Sequence, residues 1–263
     1  MKVSCIPICF DEIIRTQQMS LTEWTRMAAE IGLDGIEVYR PYLRATTLGS
    51  LEKLAGEIRD AGLEVSMFTS YGDLATPSEK ERLVQVDSLR EDVKAAVALR
   101  THIVRVTAGS WPKNCGRQES LSNVADCLTR SLDYAGNNGV MLAIENHPQI
   151  GTSAEDFTRI LSLVNDDRLK VNLDTSNPMQ CGESAVQLAE LVKQRVVHVH
   201  ASDRNQQLEH QVVGEGCVPF DEIFRILKSA NFDGWISLES GGSKGKEGII
   251  EGMRYVRDLW ESI

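Results

Sequence analysis

The stretch VVHVHASD, residues 196–203, has the alternating pattern of a short β-strand. Successive side chains on a strand point to opposite faces, so Val197 and the two apolar residues that alternate after it share one face. His198 and His200 share the other face. Two imidazoles on one face are unusual for a plain core and are typical of a strand that lines a polar site. If this interpretation is correct, other strands bring polar side chains to the same place.

Short strand-like runs alternate with longer helical runs along the whole chain. Strands are predicted at residues 2–8, 35–39, 63–70, 102–109, 140–146, 170–174, 196–203 and 235–240. Helices are predicted at residues 20–31, 51–61, 76–99, 120–138, from 153 onward, and at 185–193, 219–230 and 247–260. Eight strand–helix units predict an α/β protein whose parallel sheet closes into a single (β/α)8 TIM barrel over residues 1–263. An open doubly wound sheet is the alternative, but it usually carries a G-x-G-x-x-G loop, which this sequence lacks.

Local signals indicate where several of the helices begin and end. Ser20 precedes Glu23 at the spacing of a capping box, and Gly32 follows as a stop signal. Ser153 carries a similar capping signal for the helix after it. Pro77 is suited to the first turn of the long helix predicted from residue 76.

Composition and charge narrow the class of protein. Of the 263 residues, 42% are hydrophobic and 25% are charged, as in soluble globular proteins. The net charge is −10 and the 28 basic residues are scattered, which argues against a nucleic-acid partner. No apolar run approaches the roughly 18 residues of a membrane span, so we expect no membrane partner. The N-terminus lacks a signal-peptide pattern, so we expect a cytoplasmic location. A homo-oligomer stays possible.

Four polar residues stand at corresponding positions of the last four strands. In a TIM barrel the carboxyl ends of the strands converge on the active site, and here they carry Glu145, Asp174, His200 and Glu239. Strand alternation turns all four inward, and this shared facing favours a common site over four unrelated strand caps. Three carboxylates and an imidazole repel and desolvate one another unless a cation lies among them. His198, about 6.6 Å deeper along its strand, is expected to fill the barrel core.

This donor set predicts a site for one divalent metal ion. Three oxygen donors and one nitrogen donor suit Mn²⁺, Mg²⁺ or Co²⁺, and Zn²⁺ is possible. Such a site leaves positions open for a substrate.

Six motifs resemble those of one protein family. They are GLDGIEVY (32–39), AIENHP (143–148), NLDTSNP (172–178), HVHASD (198–203), VVGEGCVPF (212–220) and SLES (237–240). Together they resemble the sugar phosphate isomerase/epimerase family, which has a xylose isomerase-like TIM barrel, and the resemblance covers essentially the whole chain. The resemblance implies that Glu145, Asp174, His200 and Glu239 bind one divalent metal ion.

The resemblance also implies an activity on a small molecule. The substrate would be a sugar or cyclitol, such as a ketose, an inosose or a related polyhydroxy carbonyl compound. Glu145 and Glu239 would exchange its α-proton as acid and base through a metal-stabilised enediolate, as in an isomerase or epimerase. A metal-dependent lyase or dehydratase that acts on keto-sugars or keto-inositols would use the same four residues, and it stays the alternative.

Two positions depart from the pattern of ketose 3-epimerases within this family. Asn177 stands where those enzymes usually carry a substrate-binding histidine. Gln206 stands where they tend to carry an arginine, and the nearest arginine is Arg204. These departures weaken the ketose 3-epimerase assignment and leave the family assignment intact. An endonuclease IV-like phosphodiesterase is less expected, since the chain has only five histidines and a net charge of −10. A non-catalytic sugar-binding barrel is also less expected, because all four ligands are present.

Six further residues are candidate substrate contacts, namely His147, Arg105, Asn177, Trp111, His210 and Glu37. His147 binds a substrate hydroxyl or is a solvated loop residue. Arg105 and Glu37 face inward on their strands, and an ion pair between them is favoured over a substrate contact for Arg105. Trp111 stacks on a sugar or anchors its own loop. His210 lies in the polar loop after the seventh strand, where a surface position is favoured over a role as a lid residue.

Overall fold

The structure, a computed structural model, describes residues 1–239 and 244–263. The strands are β1 (Lys2–Ile6), β2 (Gly35–Tyr39), β3 (Glu64–Thr69), β4 (Ile103–Val106), β5 (Met141–Glu145), β6 (Lys170–Asp174), β7 (Val196–Ala201), β8 (Asp203–Arg204), β9 (His210–Gln211) and β10 (Trp235–Glu239). The helices are α1 (Asp11–Arg15), α2 (Leu21–Ile31), α3 (Leu48–Asp60), α4 (Glu79–Leu99), α5 (Arg117–Asn137), α6 (Ala154–Val164), α7 (Ala185–Val192), α8 (Phe220–Ser229) and α9 (Gly245–Ser262). The eight predicted strands and eight predicted helices are all present, whereas α1, β8 and β9 are additions. Ser240, the last residue of the eighth predicted strand, lies outside the described residues.

Eight strands form one parallel sheet that curls into a nearly closed barrel. The strand order is β1-β10-β7-β6-β5-β4-β3-β2, and every neighbouring pair is parallel. The two edges meet where the Asp34 N–H donates to the Val3 carbonyl at 2.9 Å and the Val3 N–H donates to Asp34 Oδ2 at 2.8 Å. The helices lie between successive strands, so the predicted TIM barrel is confirmed. Apart from it, β8 and β9 form a short antiparallel hairpin.

The capping residues explain where helices α2 and α4 begin. Ser20 and Glu23 form the predicted capping box at the start of α2, and Gly32 ends this helix with a φ of +88°. The predicted place of Pro77 in the first turn of α4 is wrong. Ser78 caps this helix, because its hydroxyl accepts a hydrogen bond from the third backbone N–H, so Pro77 lies before the cap.

The two faces of the strands separate an outer core from the barrel interior. Aliphatic side chains such as Leu142 and Leu173 pack outward in the large core between sheet and helices, as their alternation predicts. Val197 is an exception, since it packs with Met67 and Ile103 inside the barrel. The cause is a register shift between β6 and β7, which gives β7 one extra residue at this point. The predicted outward facing of Val197 is therefore wrong.

Within residues 1–239 and 244–263, none of the helices has the length and apolar character needed to span a membrane.

Candidate active site

Four polar side chains meet at the carboxyl end of the barrel. Glu145 ends β5, Asp174 ends β6, Glu239 ends β10, and His200 is the second-last residue of β7. One ligand atom from each of these residues lies within 4.8 Å of the others. Asp174 and His200 are direct partners in the ladder between β6 and β7. The strands thus bring together the four residues that the sequence predicts to share a site.

His200 lies at the centre of this cluster and presents a different nitrogen to each side. Its Nδ1 atom is 3.0 Å from Glu239 Oε2 and 3.5 Å from Glu145 Oε1. Its Nε2 atom is 3.1 Å from Glu37 Oε1. Within the part of the chain that the structure describes, Nδ1 is buried, and its contacts with the two carboxylates do not have hydrogen-bond geometry. A buried polar atom of this kind among carboxylates fits a metal ligand, because metal coordination would satisfy it.

Burial and the neighbouring acids determine the charges in the cluster. Burial raises the pKa of Asp174 well above its ordinary 3.8, and Glu239 and Glu145 raise it further. Burial lowers the pKa of His200, but Glu37 and Glu145 outweigh this effect and raise the pKa well above 6.5. Without a cation, both shifts favour the protonated forms of Asp174 and His200. A divalent ion would supply positive charge in place of these protons, so the site is compatible with one such ion.

Local hydrogen bonds fix Asp174 in place. Its Oδ1 atom accepts from the backbone N–H of Ser176 at 2.8 Å and of Asn177 at 2.6 Å, in the turn that directly follows β6. The Asn146 side chain bridges the ends of β5 and β6, because it donates to the Asp174 carbonyl and accepts from the Asp174 N–H. These bonds hold the carboxylates of two neighbouring strands at a constant separation.

Glu37 lies below the cluster and contacts His200. Burial raises the pKa of Glu37, but the adjacent His200 outweighs burial and holds the pKa at about 2. Thr69 Oγ1 also donates to this carboxylate, at 2.6 Å. Glu37 is therefore a buried anion that contacts His200 on the side away from Glu145 and Glu239.

Arg105 contacts Glu145, and the favoured ion pair with Glu37 is wrong. Arg105 donates to Glu145 Oε2 at 2.7 Å and to the Ser70 carbonyl at 3.1 Å. Burial raises the pKa of Glu145, but Arg105 and then His200 outweigh burial and hold the pKa well below 4.5. The physical reason for the difference is that His200 already neutralises Glu37, whereas Glu145 needs a second cation.

Tyr71 and His147 form the rim next to Arg105. The Tyr71 ring lies 4.4 Å from the Arg105 guanidinium, and its hydroxyl is 3.5 Å from His147 Nε2. Tyr71 is 53% exposed, so its face is available to a ligand. Tyr71 is not among the site residues that the sequence pattern predicts. The signal that could have found it is an aromatic residue just beyond a strand, where the loops of the carboxyl face begin.

Trp111 and Asn177 are placed by their own loops. The backbone N–H of Trp111 donates to Gln149 Oε1 at 3.2 Å, and the half-buried indole packs against the core. Beside Trp111 and Gln149 lies a cleft of about 550 Å³. Asn177 is buried, and its Oδ1 accepts from Gln180 Nε2 at 2.8 Å. These contacts support the interpretation that Trp111 anchors its own loop. Trp111 also lines the cleft, so a contact with a ligand there stays an alternative.

The loop that carries His210 is folded around Asp203. This buried carboxylate accepts backbone N–H groups from Gly214 at 2.9 Å, Gly216 at 2.8 Å and Val218 at 3.1 Å. A Cβ on Gly216 would lie 2.2 Å from Asp203 Oδ1, so only glycine permits this close approach. His210 lies on β9 as part of the resulting hairpin and is partly buried, which differs from the favoured surface position.

Comparison with known proteins gives relatives over most of the chain. An uncharacterized protein of Methanocaldococcus jannaschii is 26% identical over an alignment of 255 residues, which covers 91% of this chain and 87% of the relative. An inosose dehydratase of Clostridium beijerinckii is 24% identical over 240 residues, which cover 80% of this chain and 78% of the relative.

A solved structure and a family model agree on the fold. The crystal structure of a D-tagatose 3-epimerase-like protein has a TM-score of 0.79 and 22% identity, and the match covers 98% of this chain and 99% of that chain. The model of the family described as a xylose isomerase-like TIM barrel matches residues 25–259. Since this match spans most of the 263 residues, the chain belongs to the xylose isomerase-like TIM barrel family.

Proposed function

We propose that this protein is a divalent-metal-dependent isomerase or epimerase of a ketose, an inosose or a related polyhydroxy carbonyl compound. The observation that carries the proposal is the position of Glu145 and Glu239 beside the same nitrogen of His200, at 3.5 and 3.0 Å. Two carboxylates that flank one metal position can act as the acid and the base of α-proton transfer. The likeness to an inosose dehydratase and to a D-tagatose 3-epimerase-like protein supports the substrate class.

The metal would be held by Glu145, Asp174, His200 Nδ1 and Glu239. The oxygen-rich donor set favours Mn²⁺, Mg²⁺ or Co²⁺ over Zn²⁺. When bound, the ion supplies a Lewis acid that polarises the substrate carbonyl and lowers the pKa of the neighbouring C–H group.

The two glutamates would move the proton. One carboxylate removes the α-proton, and the other returns a proton to the substrate. Return to the same carbon from the opposite face gives an epimer, whereas return to the neighbouring carbon gives an isomer with a shifted carbonyl. Arg105 holds Oε2 of Glu145 at 2.7 Å, so Oε1 is the oxygen that would face the metal position and the substrate. Because Arg105 keeps the pKa of Glu145 low, a proton taken up by Glu145 is released readily.

The rim residues would bind substrate oxygens. His147, Tyr71, Trp111, Asn177 and His210 offer hydrogen-bond donors, acceptors and aromatic faces, which suit hydroxyl groups and the C–H face of a sugar. Glu37 is proposed as the residue that orients His200, because it contacts Nε2 from below. Arg105 is proposed to orient Glu145, and its contact with substrate would be secondary.

Replacing Glu239 with Gln tests the proton-transfer step. The variant should lose incorporation of solvent deuterium at the α-carbon of a ketose or inosose, because an amide does not accept the proton. The assay would follow deuterium by NMR with the metal-loaded protein, and Glu64→Gln on the exposed part of β3 is the matched control. Full deuterium incorporation by the Glu239→Gln variant would contradict the assignment.

A metal-dependent dehydratase is the second candidate. It is favoured by Asn177, whose amide is engaged by Gln180 and which replaces the histidine usual in ketose 3-epimerases. It is also favoured by the likeness to an inosose dehydratase. Proton abstraction would be the same, but a hydroxyl would leave from the β-carbon. Mass spectrometry of the product separates the two, since only the dehydratase product is lighter by one water.

A further inference from the structure

The short hairpin β8–β9 contains an unusual pair of side chains. Arg204 on β8 and His210 on β9 are direct partners in the ladder, and an Arg204 Nη2 atom lies 2.7 Å from His210 Nε2. Arginine offers only donors and stays protonated. The Nε2 atom of His210 must therefore be the acceptor in this bond.

This bond fixes the tautomer of His210. A neutral imidazole has one protonated nitrogen, so an accepting Nε2 requires the proton to be on Nδ1. An imidazolium would place two donors face to face. In agreement with this, burial and then Arg204 lower the pKa of His210 below 6.5, so the ring is neutral at pH 7 and above.

The Nδ1–H group that results has no acceptor. In the described ranges 1–239 and 244–263, the His210 Nδ1 atom is buried and makes no hydrogen bond. A buried donor without an acceptor is costly, and such groups are commonly satisfied by a bound molecule.

Arg204 connects this donor to the metal-site strands. Its Nε atom donates to Ser176 Oγ at 3.2 Å, and its Nη1 atom donates to the Leu208 carbonyl at 2.7 Å. The backbone N–H of Ser176 in turn donates to Asp174 Oδ1 at 2.8 Å. His210 is therefore held at a constant place relative to the predicted metal ligands.

We propose that His210 is a substrate-binding residue that donates its Nδ1–H to a hydroxyl or carbonyl oxygen of the substrate, and that Arg204 is the positioning residue that fixes its tautomer. The proposal rests on the proposed function, since it needs an oxygen-rich substrate at the same site. The Nδ1–H group of His210 would give the site a donor that favours oxygen acceptors and disfavours cationic groups.

Nitrogen NMR tests the tautomer without a substrate. The Mg²⁺-loaded protein with ¹⁵N-labelled histidine should show the proton of His210 on Nδ1, with the resonance assigned by its loss in the His210→Asn variant. Removal of the Arg204 donor in Arg204→Met should release this constraint and move population to the Nε2–H form. A wild-type His210 that is protonated on Nε2, or on both nitrogens, at pH 7.5 overturns the proposal.

Substitutions at His210 test the contact with substrate. Asparagine can place an N–H near the position of Nδ1, glutamine places its amide nearer to Nε2, and alanine has no donor. With the ketose or inosose that gives α-proton exchange, Ala and Gln should raise KM about 10- to 100-fold, while Asn restores most of the affinity. The value of kcat should change less than KM, because the residue does not transfer the proton.

The outcomes separate this proposal from the proposed function. If wild-type protein exchanges the α-proton of D-psicose or an inosose and Ala leaves KM unchanged, the role of His210 is overturned while the proposed function stands. Equal KM values for the Asn, Gln and Ala variants also overturn it. If wild-type protein exchanges no α-proton in any ketose or inosose, the proposed function fails and the role of His210 fails with it.

Discussion

His198 and His200 lie two residues apart on the same face of β7, and both are fully buried. Their pKa values are nevertheless shifted in opposite directions. Burial lowers the pKa of His198 to about 3, so this ring is neutral. Burial also acts on His200, but the carboxylates around it outweigh burial and raise its pKa well above 6.5.

The difference comes from what surrounds each ring. His198 has a neutral partner, since its Nδ1 lies 2.8 Å from Asn172 Oδ1, and its Nε2 is 3.6 Å from Glu37. His200 has Glu37 at 3.1 Å on one side and Glu239 at 3.0 Å on the other. One step along a barrel strand thus separates a neutral ring beside an amide from a ring that lies among carboxylates. Depth in the barrel decides the role, and residue type alone does not.

Alanine substitutions at the two positions should separate the roles most strongly. His200→Ala removes a predicted ligand, so metal affinity should fall by more than the roughly 100-fold that loss of an outer partner of a ligand can cost. His198→Ala should retain metal and lose roughly 2–4 kcal/mol of unfolding free energy, as other large-to-small core changes do. Metal titration by calorimetry and urea unfolding measure the two effects.

His102→Ala is the matched control for this pair, because His102 is exposed at the opposite end of β4. It should change neither metal affinity nor stability by much. If His198→Ala lost the metal and His200→Ala lost only stability, His198 would be the ligand and His200 the core residue, the reverse of the predicted assignment.

Arg105→Met should give the largest loss of stability among the neighbours of the site. Arg105 and Glu145 form a buried ion pair at 2.7 Å, with 3% and 1% of their side chains exposed. Removal of one partner leaves a buried charge, which typically costs about 3–5 kcal/mol. Urea unfolding of the metal-free protein measures the loss. Arg168, which is exposed and pairs with Asp133 and Asp166, is the control, since Arg168→Met should cost no more than about 1 kcal/mol. Equal losses in the two variants would contradict the argument.

The sequence predicts the barrel and the polar residues that face its interior. Strand alternation and the order of strands determine which face a residue occupies and at which end of the barrel it lies. The face of the strand and the end of the barrel are enough to predict that Glu145, Asp174, His200 and Glu239 lie together, and that His198 lies below them.

The sequence does not determine which inward side chains pair with each other. Arg105 faces inward as predicted, but it pairs with Glu145 because His200 already neutralises Glu37, and the sequence does not show that pairing. The bond between Arg204 and His210 depends on a hairpin within a long polar loop, which residue types alone do not predict. The inward position of Val197 is also not predicted, because a single bulge between β6 and β7 reverses the face on which this residue lies.

Glu37→Gln tests the contact that distinguishes His200 from His198. Glu37 accepts from His200 Nε2, so it orients the ring and makes Nδ1 a better ligand. Loss of its charge should weaken metal binding by about 10- to 100-fold, as changes to the outer partners of metal ligands do. Calorimetric titration with Mn²⁺ checks this, with Glu64→Gln as the control on the adjacent strand. An unchanged affinity would show that Glu37 does not act through His200.

The smallest effect is a dependence of metal-free stability on pH, with opposite signs for the two histidines. The pKa of His200 is raised above 6.5, so its contribution is present below pH 6.5 and is lost as pH rises through the folded-state value. The pKa of His198 is lowered from 6.5 to about 3, so its contribution is present above pH 6.5 and is lost as pH falls. Each group changes the unfolding free energy by at most about 1.4 kcal/mol per pH unit.

Urea unfolding of the chelator-treated protein between pH 5 and 9 separates the two contributions. His200→Ala should flatten the loss on the alkaline side, and His198→Ala should flatten the loss on the acid side. Added divalent metal should also remove the alkaline loss, because the ion takes the place of the proton on His200. If His200→Ala flattened the acid side instead, His200 would be neutral in the folded protein, and the comparison with His198 would lose its electrostatic basis.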